Sequence, residues 1–302
     1  MALAYCILAH KNPVQVARLF RAIWHPNNSY ALHYERRAPF AEHRYLRLAL
    51  NRYPNVQILS PRVVLWGRYS QLSVQLDALR KLSRGEKAWT HFINLTGQDF
   101  PLKPQIRIVE EMEGNPDTSF LSYFEPLNSI HWKNARERLE RVHIDSPLLE
   151  ATLEIPGVGR RIRYLLGWKD RIPYIPILRR SPPTTFKYMG GSNHVILSRQ
   201  AANYVISDPN AIQILGRLRQ TGHPDESVYQ SIVLNSPFSG LTVNNDRRAI
   251  FWERAGDSNP RTLIIRDLQE LREAEMSGRL FARKFDYTVD EKVISAIEVD
   301  FL

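Results

Sequence analysis

Ala2-Leu3-Ala4-Tyr5-Cys6-Ile7-Leu8-Ala9-His10-Lys11-Asn12-Pro13 opens with a short apolar run that stops abruptly at polar and turn-forming residues. Immediately after it, Val16, Leu19, Phe20 and Ile23 fall on one face at helical spacing. A short buried strand feeding an amphipathic helix is the unit from which parallel sheets are assembled. The pattern then recurs. Tyr30-Ala31-Leu32-His33 reads as a strand ending in the charged turn Tyr34-Glu35-Arg36-Arg37, and 56–59 and 63–65 read as two further strand pieces. Residues 71–82 form a helix with Leu72, Leu76, Leu79 and Leu82 on its apolar face, and 89–95 is another buried strand stopped by Thr96-Gly97-Gln98-Asp99. The expected class is therefore α/β, a central, mainly parallel sheet flanked by helices.

In such sheets ligands bind beyond the C-terminal ends of the strands. Here that edge would carry His10, Glu35-Arg36-Arg37, Trp66-Gly67 and Gln98-Asp99. No Gly-x-Gly-x-x-Gly or Walker loop is present, so neither a dinucleotide fingerprint nor a P-loop is indicated. Residues 128–185 break the pattern with helical, basic stretches (132–142 and 160–164) and a proline-rich segment at 173–183, an excursion over the active face. The pattern resumes at Tyr188-Met189-Gly190-Gly191-Ser192 and Val195-Ile196-Leu197, with Ser198 able to cap a helix running to Ser207.

The chain has 302 residues, 43% hydrophobic and 24% charged, enough to bury a large core. Its single cysteine, Cys6, rules out an internal disulfide and a cysteine zinc site. The histidines show no His-Glu-x-x-His or comparable ligand spacing, and no Gly-x-Ser-x-Gly elbow exists. No apolar stretch approaches the ~18 residues of a membrane span, and no signal-peptide pattern precedes the first strand. The expectation is a cytoplasmic protein, peripheral at the inner face of a membrane. A net charge of +10 calls for an anionic partner: nucleic acid, anionic lipid or nucleotide phosphate.

Two further motifs carry chemistry. Pro224-Asp225-Glu226 presents carboxylates at the start of a helix expected over 227–234. A carboxylate there can act as a general base, although an arbitrary Pro-Asp-Glu more often just complements the helix dipole. Asp225 is the rival base. Phe281-Ala282-Arg283-Lys284-Phe285-Asp286 places twin cations between aromatics that would anchor them in the core. Arg can grip a phosphate bidentately while Lys acts as a point charge; the plain alternative is a surface basic pair.

Taken in order, Leu8-Ala9-His10-Lys11, His33-Tyr34-Glu35-Arg36-Arg37, Trp66-Gly67-Arg68-Tyr69-Ser70, Phe92-Ile93-Asn94-Leu95-Thr96-Gly97-Gln98-Asp99-Phe100-Pro101, Gly190-Gly191-Ser192, Pro224-Asp225-Glu226, Leu234-Asn235-Ser236-Pro237 and Phe281-Ala282-Arg283-Lys284-Phe285 resemble the core-2/I-branching β-1,6-N-acetylglucosaminyltransferases and the peptide O-xylosyltransferases. The resemblance spans nearly the whole chain except 128–185. It implies one Rossmann-like nucleotide-sugar glycosyltransferase domain over 1–302, with a nucleotide-sugar-binding half at 1–127, the excursion at 128–185 and an acceptor and catalytic half at 186–302. It further implies a UDP-sugar donor, inversion at the anomeric carbon and no required metal or cofactor. By the same resemblance Glu226 is the base and Arg283 and Lys284 receive the diphosphate. His10, Glu35 and Arg37 face the uridine, and Arg261 resembles a second phosphate-binding arginine. On their own chemistry, Trp66 suits a wall for the sugar or a place in the core, Asp99 a contact to the sugar or a water or a turn residue after 89–95, and Gly191 and Ser192 a hydrogen-bonding approach to the sugar or an ordinary turn between two strands. The chain departs from the family pattern at Tyr34, Glu35 and Asn193-His194, where donor or acceptor contacts would differ.

The Phe-Ala-Arg-Lys-Phe and Asn-Ser-Pro segments lean towards xylose as the donor sugar, and Thr-Gly-Gln-Asp-Phe-Pro towards N-acetylglucosamine. The expected acceptor is a glycan or lipid-linked glycan, with no nucleic-acid partner. The basic excursion (Lys133, Arg136, Arg138, Arg141, Arg160, Arg161, Arg163) would contact an anionic membrane. The competing class is a non-enzymatic basic protein that binds nucleic acid or an anionic membrane surface.

Overall fold

The computed structural model describes residues 2–129, 132, 134–155, 157–166, 168, 173–254 and 259–302. Lys133 and His131 lie outside the described residues. The opening stretch forms strand β1 (Leu3–Ala9) and a helix over Pro13–Ala22, with the polar punctuation between them. Strands β2 (Ser29–Tyr34), β3 (Val56–Ile58), β4 (His91–Thr96), β5 (Asp99–Pro101), β6 (Ser119–Phe124), β7 (Arg141–His143), β8 (Tyr174–Arg179), β9 (Gly190–Ser198), β10 (Thr242–Asn244), β11 (Arg248–Ile250) and β12 (Phe281–Arg283) follow.

The main sheet runs β10-β6-β9-β4-β1-β2-β3. Its pairings are parallel except those of β9, which enters antiparallel between β4 and β6. This is the expected mainly parallel α/β sheet. Each strand alternates between two cores, as a period of two requires. On β1, Leu3, Tyr5 and Ile7 enter one apolar cluster while Ala4 and Cys6 enter the other. The Pro13–Ala22 helix covers the first face, and the Tyr69–Arg84 helix covers the second through Leu72, Leu76, Leu79 and Leu82. Burial on both faces explains why β1 reads as a continuous apolar run.

Three local expectations change. Residues 63–65 are not a strand. The Val64 N–H donates to Glu35 Oε2 (2.9 Å) and the Leu65 N–H to Ser70 Oγ (3.0 Å), so side chains satisfy backbone donors that a ladder would have used. Gly190-Gly191-Ser192 is the start of β9 and not a turn between strands. The proline-rich segment contains β8, which pairs antiparallel with β7.

Gly191 explains itself sterically. A Cβ there would stand 1.8 Å from the Ser122 carbonyl oxygen of β6. Gly191→Ala is expected to destabilise the fold by ~1–3 kcal/mol, the usual cost of overpacking. Thermal denaturation checks it, and an unchanged Tm would show that β6 yields freely.

Candidate functional site

The register of the parallel strands brings their ends level. Ala9 pairs with Tyr34 and Leu8 with Thr96, so His10, Glu35 and Gly97-Gln98 emerge at a common edge. The Glu35 N–H closes onto the Ala9 carbonyl (2.9 Å) and the Gly97 N–H onto the Leu8 carbonyl (2.8 Å). The C-terminal motif reaches the same edge by a second route. Strand β12 pairs antiparallel with β5, setting Arg283 opposite Asp99. Phe281 and Phe285 are fully buried on either side of the cations. Buried Gln15 ties the pieces together, donating from Nε2 to the Gly97 (2.7 Å) and Phe285 (3.2 Å) carbonyls while accepting from the Tyr287 N–H (2.6 Å).

The result is a cleft of about 810 Å³ whose lining includes His10, Lys11, Glu35, Arg37, Trp66, Arg283 and Lys284. Its cations crowd one another. Burial, then the neighbouring Lys11 and Arg283, pull the Lys284 ammonium below its ordinary pKa. Burial and Lys11 likewise depress His10. Lys11 is held by Asp286 (2.5 Å), which also accepts from Asn12 Nδ2 (2.8 Å). Although burial works against it, the hydrogen bonds from Lys11, Thr288 and Asn12 keep the Asp286 carboxyl far below the usual range. Such crowding is relieved by a bound anion.

Glu35 is already engaged. Its carboxylate accepts from the Arg37 N–H (3.2 Å), Arg37 Nε (3.1 Å) and the Val64 N–H (2.9 Å). Of roughly four lone-pair positions on a carboxylate, one remains for a ligand.

Asp99 lies beneath the cleft floor and not in its lining. It accepts from the Thr96 N–H (2.6 Å) and stands 3.6 Å from Arg283 Nε. Burial raises its pKa, opposed by Arg283 and Arg248. Arg283 also meets the buried His194 ring, whose pKa burial and the two arginines depress strongly. Asp99 thus orients Arg283 from below.

Gly191 and Ser192 do not line the cleft either. Gly191 admits the Ser122 carbonyl, and Ser192 Oγ accepts from the His194 N–H (3.1 Å). Arg261 is likewise outside the lining, paired with Asp267 and Glu270 (2.7 Å each), while its neighbours Asn259 and Pro260 reach the cleft.

Glu226 sits behind the cleft wall formed by Trp66, Gln71 and Asn193. Pro224–Glu226 is a 3-10 turn before the Val228–Leu234 helix, so Glu226 precedes the helix rather than beginning it. The turn is clasped from the cleft side. The His223 N–H donates to the Gly67 carbonyl (3.0 Å), and Trp66 meets the His223 ring edge-on at 4.6 Å. Gln71 Nε2 donates to Asp225 Oδ2 (2.7 Å).

The two acids differ in access. The Asp225 carboxyl is buried, and its pKa is raised by burial and then by the Glu226 charge. Glu226 keeps 29% of its side chain exposed and is bound by Arg138 (2.7 Å). Burial raises the Glu226 pKa and the Arg138 guanidinium opposes the rise. Arg138 stacks over Trp132 at 4.3 Å and is braced by Asn134 Oδ1 (3.1 Å).

Lys11 and Gln71 were not singled out from sequence, and Arg138 was read only as one of the membrane-facing basic residues; Asn193 was noted as a point where donor or acceptor contacts would differ. Lys11 had a signal, standing beside His10 in a matched segment. Arg138 had none separating it from Arg136 and Arg141, which pair instead with Glu140 (3.3 Å) and Glu137 (3.1 Å).

The arrangement is a cationic slot at the C-terminal edge of a parallel sheet, walled by an aromatic ring and backed by a partly open carboxylate. Comparison with known proteins agrees with that class. The Core-2/I-Branching enzyme family model matches residues 3–276. The chain belongs to the Core-2/I-Branching enzyme family. It is 29% identical over 256 residues to an N-acetyllactosaminide β-1,6-N-acetylglucosaminyl-transferase of Mus musculus, covering 83% of this chain and 58% of that protein. A β-1,3-galactosyl-O-glycosyl-glycoprotein β-1,6-N-acetylglucosaminyltransferase 4 of Danio rerio is 25% identical over 98% of this chain and 68% of its own length. Xylosyltransferase oxt of Drosophila melanogaster is 24% identical over 94% of this chain and 31% of its own length. The chain therefore spans between about a third and two thirds of these relatives. Among the described residues, no helix is long and apolar enough to cross a membrane.

Proposed function

We propose that the chain is an inverting glycosyltransferase that moves N-acetylglucosamine or xylose from a UDP-sugar to a hydroxyl of a glycan or lipid-linked glycan. The observation that carries the reading is the convergence of His10, Lys11, Glu35, Arg37, Arg283 and Lys284 on one cleft, with the His223-to-Glu226 turn packed against its aromatic wall through His223. The uridine lies towards His10, Glu35 and Arg37. The diphosphate lies on Arg283, Lys284 and Lys11, and the sugar extends along Trp66 towards Glu226.

In the transfer step Glu226 takes the acceptor hydroxyl proton as that oxygen bonds to the anomeric carbon. The bond from the anomeric carbon to the diphosphate oxygen breaks on the opposite side, and its electron pair leaves with UDP. The growing charge is received by cationic side chains already in place, which costs no reorganisation at the moment of reaction. Of the two acids, Glu226 suits the base because it retains solvent access while Asp225 is enclosed and hydrogen-bonded to Gln71. The reading includes no divalent metal and no further cofactor.

A thermal-shift series with UDP, UDP-N-acetylglucosamine and UDP-xylose, each with and without EDTA, tests donor and metal together. A nucleotide that binds the folded state stabilises it by mass action, by about 2.7 kcal/mol at a hundredfold excess over Kd, and so raises Tm. The expected result is a rise with one of the two UDP-sugars that EDTA leaves unchanged. A shift that appears only with manganese would overturn the role given to Arg283 and Lys284.

A further inference from the structure

The described residues between 146 and 180 form a small lobe with its own core of Leu153, Trp168 and Tyr174, against which Leu149 and Ile162 pack. Its outer surface is unusually apolar for a water-facing element. Tyr164 and Leu165, at the end of the Val158–Leu165 helix, are 85% and 78% exposed, and Ile177 on β8 is 95% exposed. Leu148, Ile155 and Leu178 are exposed in the same lobe. Soluble surfaces scatter such residues singly, and so many in one small lobe mark a binding surface.

The charge around them names the occupant. Residues 155–180 carry seven Lys and Arg against one acid, Asp170. The arginines at 136, 138 and 141, just before the lobe, are each committed to a glutamate. Arg160, Arg161 and Arg163 form no ion pair among the described residues. Among the described residues of the lobe, the acids face the cleft: Glu150 pairs with Arg68 (3.0 Å), and Glu150 and Glu154 line the cleft, while Asp145, just before the lobe, accepts from the Ser70 N–H (2.6 Å). A second copy of so cationic a face would repel the first. Tyr164 is the one aromatic ring among these exposed side chains, and a lone ring among aliphatics is not the run of stacking platforms that a nucleic-acid strand uses. Apolar residues beside unpaired arginines fit a lipid–water boundary with anionic headgroups.

We infer that this lobe is a docking surface for an anionic lipid membrane, with Leu165, Ile177 and Tyr164 entering the acyl boundary and Arg160, Arg161 and Arg163 meeting lipid phosphates. The juxtaposition deepens the reading above. The lobe that touches the membrane also supplies Glu150 and Glu154 to the cleft, so docking sets the cleft beside the headgroup layer, where a lipid-linked acceptor would present its sugar. Membrane contact itself is independent of the transfer reaction and is read without donor.

The full chain is sedimented with phosphatidylcholine vesicles, with and without phosphatidylglycerol. Pelleting only with the anionic vesicles is expected. Leu165→Ser with Ile177→Ser should weaken it by about tenfold or more, since each buried methylene contributes to insertion. Arg160→Gln, Arg161→Gln and Arg163→Gln together should weaken it by about a hundredfold. Both variants should keep the wild-type thermal shift with UDP, which separates lost docking from lost folding or a failed donor site. Equal pelleting with neutral and anionic vesicles, or a serine pair that pellets like wild type, overturns the inference. Tyr164→Trp gives an independent reading against the six native tryptophans: the difference between its emission and that of the wild type should shift to the blue on anionic vesicles, and an unshifted difference spectrum also overturns it.

Discussion

Glu226→Gln is expected to lower the transfer rate by about 10²–10⁴-fold, the usual contribution of a positioned general base, while UDP affinity stays near wild type. The amide has the shape of the carboxylate and can still accept a hydrogen bond from Arg138, which now bonds Glu226 Oε2 at 2.7 Å. What it loses is the capacity to take a proton. Because Glu226 lies behind the Trp66 wall and not among the cationic residues, nucleotide binding should be spared. Asp225→Asn is the comparator. Its carboxyl is enclosed and bonded to Gln71, so its loss should act on the turn and on Tm more than on the chemical step. Turnover that survives in Glu226→Gln and falls in Asp225→Asn would exchange the two roles.

The pH dependence follows from the same contacts. Burial raises the Glu226 pKa, so the working, ionised form accumulates as pH rises through that value, and the rate should climb and then level. Arg138 opposes the rise, since a cation at this distance favours the charged carboxylate. Arg138→Gln should therefore move the acid limb of the rate profile to higher pH, with Arg138→Lys restoring part of it. A profile unmoved by Arg138→Gln would leave Arg138 with a packing role against Trp132 alone.

The sheet was legible because burial on two faces imposes continuous apolar runs on its parallel strands, as in β1 and β4. Punctuation by His10-Lys11-Asn12-Pro13 and Thr96-Gly97-Gln98 also marks their ends. Residues 63–65 misled for the opposite reason: Val63, Val64 and Leu65 are β-prone, but Glu35 and Ser70 side chains take the backbone donors of the last two. Of the candidate site residues, His10, Glu35 and Lys284, just past a strand end, and Arg283, at the end of β12, reach the cleft. Asp99 and Gly191, at the starts of β5 and β9, do not, because the side chain or its absence there serves the neighbouring strand. Arg138 was illegible because ion-pair partners on an irregular excursion are set by tertiary contact and leave no spacing rule.

Arg283→Ala with Lys284→Ala is expected to weaken UDP binding by roughly a hundredfold or more, since hydrogen bonds to charged groups contribute about 1.5–3 kcal/mol each. Three features of the site make this sharper than a general loss of charge. First, uridine without phosphates should bind the double variant as it binds wild type, because the proposed nucleoside contacts are the lining residues His10, Glu35 and Arg37. Equal losses for uridine and UDP would mean a collapsed cleft. Second, the two cations are not equivalent in the fold. Arg283 stands over the buried Asp99, so removing it leaves that carboxyl without its nearest cation and should lower Tm. Lys284 has no such dependant, and Lys284→Ala alone should weaken UDP binding at unchanged Tm. Third, Lys11 remains in the cleft and is held there by Asp286. It should therefore keep part of the affinity in the double variant, and Lys11→Ala added to it should remove most of what is left. If UDP affinity were unaltered in Lys284→Ala and in the double variant alike, the diphosphate would have to lie elsewhere in the cleft, and the charge relief assigned to these side chains would fall with it.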